Sequence, residues 1–465
     1  MKIDQRACGK GKTTQFIYKI INKAIKLNNK TLIVAGSIAL QQQYKAQYPD
    51  IKIINHGEAD NSTVSEVMLS MYSGIDFICI THQTFMMLPY SEARRNYQLI
   101  IDEAIGNLVR EHTIYIKDTG LLNINWSKHY KIFDNDFYAE PMDKPSNTNF
   151  YQMELENISD DNITNQSRTY REITDSNYNY YITPYNYKIM MDSTTDKAFQ
   201  FMSMANTNVF HNWDYIYVAA AGFDFASEMY YVLNYHGMNM DFHSKFEKHT
   251  GNIHLHVGFI DNDENIHISK TKLDNHPELI SQYHDYVNKH KTGTVLALRN
   301  KDITKTLNDE LLLSHNVHGI NSPVYRSCSN VSLESALLPS NHRKNFYLRL
   351  LLKDQKLPNP EFTINILCYG YLFYQAAMRC GLRDALPNPD IEFHFYMYDC
   401  MVGSVMSQFL DVPDENHHYF DLTTIKAEVY KSGKKKGLPK KPMKNTDKQK
   451  AYRERKKSAN SVTIT

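Results

Sequence analysis

The sequence predicts an α/β fold built on two mostly parallel sheets. Three observations predict it. A glycine- and lysine-rich loop, Ala7-Cys8-Gly9-Lys10-Gly11-Lys12-Thr13-Thr14, opens a segment of helical periodicity. Apolar runs of strand length alternate with helical patterns up to residue 102 and again after residue 250. One of those runs ends in paired carboxylates, Asp102-Glu103.

In order along the chain, Thr14 to Leu27 reads as a helix. Ile17, Ile20, Ile21, Ala24 and Leu27 recur at its period. A turn at Asn28-Asn29-Lys30 leads into a buried strand, Thr31 to Ala35. Asp76 to Thr81 and Leu99 to Asp102 are two more short apolar strands. From about residue 105 to 210 the pattern weakens. Residues 145–182 are rich in Asn, Asp, Ser, Thr and Tyr, which predicts an inserted subdomain or a long surface loop. Tyr215 to Ala219 resumes as an apolar strand.

A second α/β block follows. Thr294 to Leu298 and Ile391 to Met397 read as strands. Ile303 to Leu313, Asn345 to Leu352 and part of Ile364 to Arg383 read as helices. The expected domains are 1–245, with an insertion at about 105–210, then 246–425. A basic tail, 426–465, lacks a core of its own, except for a short basic helix at Lys448 to Lys457.

The 465 residues suffice for two or three domains. Hydrophobic content of 42% and charged content of 22% are those of a globular chain. No run of 18 apolar residues occurs, so no membrane span is expected, and Met1 to Gln5 lacks a signal peptide's apolar stretch. Six cysteines, none in a Cys-x-x-Cys pair, favour reduced thiols in a cytosol-like compartment over zinc or disulfides. The net charge of +1 hides an asymmetry: residues 431–457 carry 13 Lys and Arg against 2 acidic residues. The remainder is therefore acidic, and the tail is a polycation.

The loop at 7–14 carries the most specific chemistry. Glycines let backbone N–H groups close around phosphate oxygens, and a helix N-terminus adds a favourable dipole. Gly9, Lys10, Gly11, Lys12, Thr13 and Thr14 are the candidate nucleotide-binding residues. Lys12 would reach the outer phosphates and the Thr13 hydroxyl would hold Mg²⁺. The strict phosphate-loop pattern has Gly where Arg6 stands. Asp102, at a strand's C-terminal end, is placed to hold Mg²⁺ with Thr13, and Glu103 to polarise water.

Through these residues and those that follow, the chain resembles superfamily 2 helicases, the DEAD-like group, and is suspected to be of phage or viral type. Asp102-Glu103-Ala104-Ile105 resembles that group's Asp-Glu-Ala-x box. Ala35-Gly36-Ser37 with Leu40 and Gln43, and Thr81-His82-Gln83-Thr84-Phe85, resemble strand-contacting motifs. The resemblance thus implies nucleic-acid contacts at Ser37, Thr81 and His82. Ala219-Ala220-Ala221 stands where the family's Ser-Ala-Thr motif would lie, without its hydroxyls.

Gln375-Ala-Ala-Met-Arg379-Cys-Gly-Leu-Arg383 resembles the family's last motif, with Gln, Arg and Arg on one side of a helix. The family's Gly before the first Arg is Met378 here, and the second Arg comes one residue late. The resemblance implies catalytic roles for Gln375 and Arg379, and a weaker one for Arg383. His318-Gly319-Ile320-Asn321 resembles the preceding motif and adds Gly319 to the nucleotide site. These motifs span residues 7–383.

Other features leave alternatives open. His254 and His256, with His243, His249 and Asp261 near in sequence, could form a metal site or simply a polar strand face. Tyr178 to Tyr187 could stack on bases, although a surface loop is favoured. In the tail, Lys434, Lys435, Lys436, Arg453 and Arg455 could neutralise phosphates, direct nuclear import or serve solubility alone.

The resemblance implies two RecA-like P-loop domains, with ATP and Mg²⁺ between them. The expected activity is ATP-dependent movement along DNA, or less favoured RNA, single-stranded or forked, with replication or recombination proteins as further partners. The expected location is the cytoplasm, a host's if the chain is viral, with the nucleus as the alternative the tail allows. Few residues precede Arg6, which predicts weak discrimination among nucleoside triphosphates. Two rival readings stand: a DNA-packaging P-loop ATPase, and a nucleic-acid-binding scaffold with a degenerate ATP site.

Overall fold

The computed structural model describes residues 1–55, 62–115, 130–132, 139–141, 177–191, 198–260, 270–300, 303, 307–313, 322–335, 339–384 and 390–423. Its strands are β1 (Lys2–Asp4), β2 (Lys30–Ala35), β3 (Lys52–Ile53), β4 (Phe77–Thr81), β5 (Tyr97–Asp102) and β6 (Val109–Tyr115). Next come β7 (Tyr130–Ile132), β8 (Ala139–Pro141), β9 (Tyr178–Ile182), β10 (Ala198–Ala205), β11 (Ile216–Ala219) and β12 (Asp241–Phe242). The remainder are β13 (Asn252–Ile260), β14 (Val295–Arg299), β15 (Glu310–Leu312), β16 (Asn330–Glu334), β17 (Glu392–Met397) and β18 (His417–Leu422).

Seven strands form a first sheet in the order β12-β1-β11-β5-β2-β4-β3, and every pairing in it is parallel. β5 is buried along its whole length and β2 from Thr31 onward, as an apolar run covered on both faces requires. The register aligns the strand ends. Asp4 pairs with Ala219, Ala219 with Asp102, Asp102 with Ala35, and Ala35 with Thr81. One row along the carboxyl edge thus carries the last residue of β1, which leads toward the glycine loop, the first alanine of Ala219-Ala220-Ala221, the first of the carboxylate pair and the first residue of each strand-contacting motif. That edge is where α/β sheets place their sites.

The second sheet has six parallel strands in the order β15-β14-β16-β17-β13-β18. Two expectations need correction here. The helix expected over 303–313 is not what forms, because Glu310–Leu312 is a parallel edge strand paired with Val295–Ala297. A short apolar run does not distinguish a helix from a strand by period alone, and the Arg299–Glu310 ion pair anchors the strand. A helix does form within 364–383, but it ends at Ala377, short of Arg379 and Arg383, which the motif spacing had placed on it. Its described course is Pro360–Asn365, a π-wound segment Ile366–Gly370, and Tyr371–Ala377. Met378 leaves the helix at ψ 19°, and Gly381 N–H then turns to the Cys328 carbonyl.

Between β5 and β11 lies an antiparallel sheet, β6-β10-β9, and a separate pair, β7-β8. The tyrosines of 178–187 do not form the surface loop the composition favoured. Tyr178, Tyr180 and Tyr181 are buried in β9 and join the first domain's core. The polar composition of that stretch concealed a strand, YNYYI, that is buried at every position but Asn179. All six cysteines are free thiols. Among the described residues no helix is long and apolar enough to cross a membrane.

Candidate active site

The glycine loop joins β1 to a helix that starts with a π-wound turn, Lys12–Ile17, and continues as Tyr18–Leu27. Gly9 and Gly11 take positive φ, 76° and 81°, a region that only glycine enters freely. Arg6 needs no such freedom. Its guanidinium forks onto the Asp4 carboxylate, Nε to Oδ1 at 3.0 Å and Nη2 to Oδ2 at 2.6 Å. Burial pushes that carboxyl upward, but the Arg6 and Ser244 hydrogen bonds outweigh it and hold Asp4 below its usual range. The residue at the pattern's missing glycine is therefore part of the loop's foundation.

Lys12 is buried and folds back over the loop, its Nζ donating to the Arg6 carbonyl at 2.9 Å and the Ala7 carbonyl at 3.2 Å. Thr13 Oγ1 donates to Asp102 Oδ2 at 3.3 Å, and Tyr44 donates to the same oxygen at 2.6 Å. Burial first, and the adjoining Glu103 second, push the Asp102 carboxyl up to about 7, against the pull of Tyr44, Lys12 and Thr13. A buried carboxylate beside a hydroxyl offers hard oxygen donors of the kind Mg²⁺ takes, with phosphate and water completing the shell. Such a site needs no third carboxylate. Among the described residues no group of three His, Cys, Asp or Glu side chains is arranged to hold a metal.

The second domain closes the cleft. Glu103 Oε2 accepts from the Tyr371 hydroxyl and from Gln375 Nε2, the latter at 3.2 Å. Arg379, 4% exposed, donates from Nη2 to Gln375 Oε1 at 3.2 Å. Burial, and the neighbouring Arg383 charge after it, lower the Arg379 guanidinium to about 10. Tyr374 accepts from the Cys8 N–H at 2.7 Å, and its hydroxyl also contacts His249 Nε2 at 2.9 Å. A cavity of about 400 Å³ results, lined by Gly9, Gly11, Lys12, Thr13, Asp102 and Glu103 on one wall and Arg326, Arg379, Arg383 and Asp384 on the other.

Each residue singled out from sequence has a definite place. Thr14 also lines the cavity, whereas Lys10 is exposed and outside its lining. Gln375 is buried behind the cleft and reaches it through Glu103 and Arg379. Arg379 and Arg383 do not continue Gln375's helix as the i, i+4, i+8 spacing implied. The helix ends at Ala377, and a 3₁₀ turn, Gly381–Arg383, carries Arg383 to the cavity. Ser37 and Thr81 sit at the ends of β2 and β4, each capping the helix that follows. His82 begins the helix after β4. Gly319, Lys434, Lys435, Lys436, Arg453 and Arg455 lie outside the described residues.

His254 and His256 do share a face of β13, but His243 and His249 are elsewhere, and Asp261 lies outside the described residues. Their neighbours are His418, on His254 at 3.0 Å, and His394, on His256 at 3.0 Å. His254 stacks on His394 and His256 on His418, whereas the nitrogens meet across His254–His418 and His256–His394; among the described residues they are not arranged as a metal-ligand group. Sequence reasoning missed Tyr44, Tyr371 and Tyr374, and it named His249 only as a neighbour of a possible metal site rather than as the partner of Tyr374. The tyrosine pair on the turn before Gln375 carried a signal only in hindsight, since tyrosine is abundant throughout, with 33 in the chain.

A comparison with protein-family models finds no match, and neither does one with curated proteins. Among solved structures the fold is similar to that of XPD_APO, with a TM-score of 0.53 and 13% identity over 91% of this chain and 97% of that one. Xpd4 of S. tokodaii follows at a TM-score of 0.48, 12% identity, and 90% and 96% coverage. The Mycobacterium smegmatis helicase Lhr, bound to ssDNA and AMP-PNP, gives 0.34 and 10% identity over 88% of this chain and 47% of that one. The first of these likenesses carries the fold assignment alone: two RecA-like α/β domains with parallel sheets, arranged as in that structure.

Proposed function

We propose that this chain hydrolyses ATP in the cleft between its two α/β domains and uses the cycle to move along or unwind nucleic acid. One observation supports the reading above the rest. The glycine loop and the carboxylate pair of the first sheet converge on a single cavity with two arginines of the second. Residues 1–245 and 246–425 would be the two motor domains.

In this reading the loop N–H groups and Lys12 grip the phosphates, Lys12 exchanging its carbonyl partners for phosphate oxygens. Thr13 and Asp102 hold Mg²⁺, which when bound neutralises phosphate charge. Glu103 orients the attacking water and takes its proton. Arg379, with Arg383 beside it, stabilises charge that develops on the transferred group. Because these groups come from different domains, the site is complete only when the domains meet. That links turnover to domain movement. Ser37, Thr81 and His82 would face the strand along the carboxyl edge, DNA being favoured over RNA.

The alternative of a nucleic-acid-binding scaffold draws on Ala219-Ala220-Ala221. All three are fully buried, Ala219 between β1 and β5 and the other two just beyond the strand, without a hydroxyl to couple the two domains. ATP turnover measured with and without single-stranded DNA or RNA separates the readings. The motor reading expects turnover that nucleic acid stimulates. Binding of nucleic acid with no turnover would leave the scaffold.

A further inference from the structure

The two carboxylates of the Asp102-Glu103 pair answer to different domains. Asp102 is held by first-domain groups, the hydroxyls of Thr13 and Tyr44. Glu103 is turned away from it. Its backbone sits at φ 77°, a left-handed conformation that a non-glycine residue enters at a cost. Its N–H is fixed to the Ala219 carbonyl at 2.9 Å, so the peptide is anchored in the sheet while the side chain crosses the cleft. There Oε2 accepts two donors on one helix of the second domain, the Tyr371 hydroxyl and the Gln375 amide.

Tyr371 occupies a distinctive position. Its hydroxyl is buried against Glu103, and burial and the Glu103 charge together raise it well above its usual range, so it donates and stays protonated. The same side chain lines a second cavity, of about 490 Å³, on the side of the domain junction away from the glycine loop. That cavity is bounded by the loop after Glu103, by Ser227 and Glu228, and by Ser340 and Arg343 of the second domain. Arg343 is tied back to Glu228 at 2.9 Å. Tyr371 is thus shared between the water-activating carboxylate and a space bounded by both domains.

We infer that Tyr371 is a positioning residue that restrains Glu103 until the second domain moves. The inference rests on the motor reading above and extends it to the control of that site. A carboxylate oxygen that holds the tyrosine proton is engaged by a donor and directed at the opposite wall. A general base must instead present a lone pair to water. A shift of the helix Tyr371–Ala377 on nucleic-acid binding draws the hydroxyl away and releases the base. Restraint by Tyr371 then keeps turnover low when no strand is bound.

The test measures steady-state ATP turnover of the full chain with and without oligodeoxythymidine. Tyr371→Phe removes the hydroxyl and keeps the ring. Turnover without DNA is expected to rise about tenfold, the scale of one hydrogen bond to a charged group. DNA-saturated turnover changes little, so the stimulation ratio falls while KM for ATP holds. Adding Glu103→Gln must abolish the gain, because the gain acts through that carboxylate. Phe373→Leu, a buried neighbour on the same helix, is the packing control and leaves the ratio unchanged. Tyr371→Met is the second variant should the first fold poorly, and it moves the ratio in the same direction. An unchanged ratio in a stimulated enzyme, or equal losses with and without DNA, overturns the restraint and leaves the motor reading intact. A wild-type chain with no stimulated turnover overturns both.

Discussion

The Cys8 N–H donates to the Tyr374 hydroxyl at 2.7 Å, joining the glycine loop of the first domain to a helix of the second. The same hydroxyl meets His249 Nε2 at 2.9 Å, so three segments far apart in sequence share one oxygen. Tyr374 is fully buried, and so is the junction it holds. Removing that oxygen leaves a backbone donor and an imidazole nitrogen without it. Tyr374→Phe is therefore expected to destabilise the chain by about 1–3 kcal/mol, read as a lower urea midpoint. An unchanged midpoint would show that water replaces the hydroxyl.

His249 gives a pH signature to the same junction. Burial, first, and then the charges of Lys10, Lys12 and Arg383 push its imidazole down to about 3 from the ordinary 6.5. The folded state therefore binds fewer protons than the unfolded one. The stability this neutral imidazole supplies is fully present above 6.5 and is lost as pH falls from there toward 3. At pH 5 the loss is about 2 kcal/mol. Chemical denaturation at pH 7.5 and pH 5 should show it in the wild type and not in His249→Asn. Equal pH slopes in the two proteins contradict it.

Gly9 combines a positive φ of 76° with a close approach. A Cβ built there would stand 1.9 Å from the Arg383 carbonyl oxygen. That neighbour is backbone and cannot step aside alone. Gly9→Ala is expected to open the cleft, with a stability cost of about 1–3 kcal/mol and a raised KM for nucleotide. Thermal melting and turnover together check this. A variant with unchanged melting and KM would mean that the loop and the 3₁₀ turn do not touch in solution.

Much of the first domain was legible in the sequence because its signals are local. The apolar runs at 31–35, 76–81 and 99–102 became β2, β4 and β5, and the glycine loop precedes a helix. The second domain was less legible where one residue decides the geometry. Spacing alone put Gln375, Arg379 and Arg383 on one helix. In the fold the helix ends at Ala377, because Gly381 bonds to Cys328 on the loop before β16, a contact no local pattern encodes. The tyrosines at 44, 371 and 374 were invisible for the same reason, since each earns its role from a partner more than fifty positions away. The buried strand YNYYI shows the converse, a core element written in residues that composition assigns to loops.

Arg379 is expected to act through its planar fork. Its Nη2 is fixed by Gln375 at 3.2 Å and its side chain is buried, which aims the guanidinium at the cavity. Lysine keeps a charge but not the fork. Arg379→Lys should lower kcat about 10²–10³-fold with a smaller change in KM, the pattern of a group that acts mainly in the transition state. A rise in KM with kcat preserved would instead make Arg379 a ground-state binding residue.

If one ATP site is assembled from both domains, loss of a residue on either wall abolishes turnover. The most direct measurement is ATP turnover with saturating single-stranded DNA in the wild type, Lys12→Ala and Arg379→Ala, each checked for folding by its melting transition. Turnover is expected to be stimulated in the wild type and to fall to background in both variants, although the two residues lie on opposite walls of the cavity. Turnover that survives either substitution in a folded protein would contradict a site assembled from both domains.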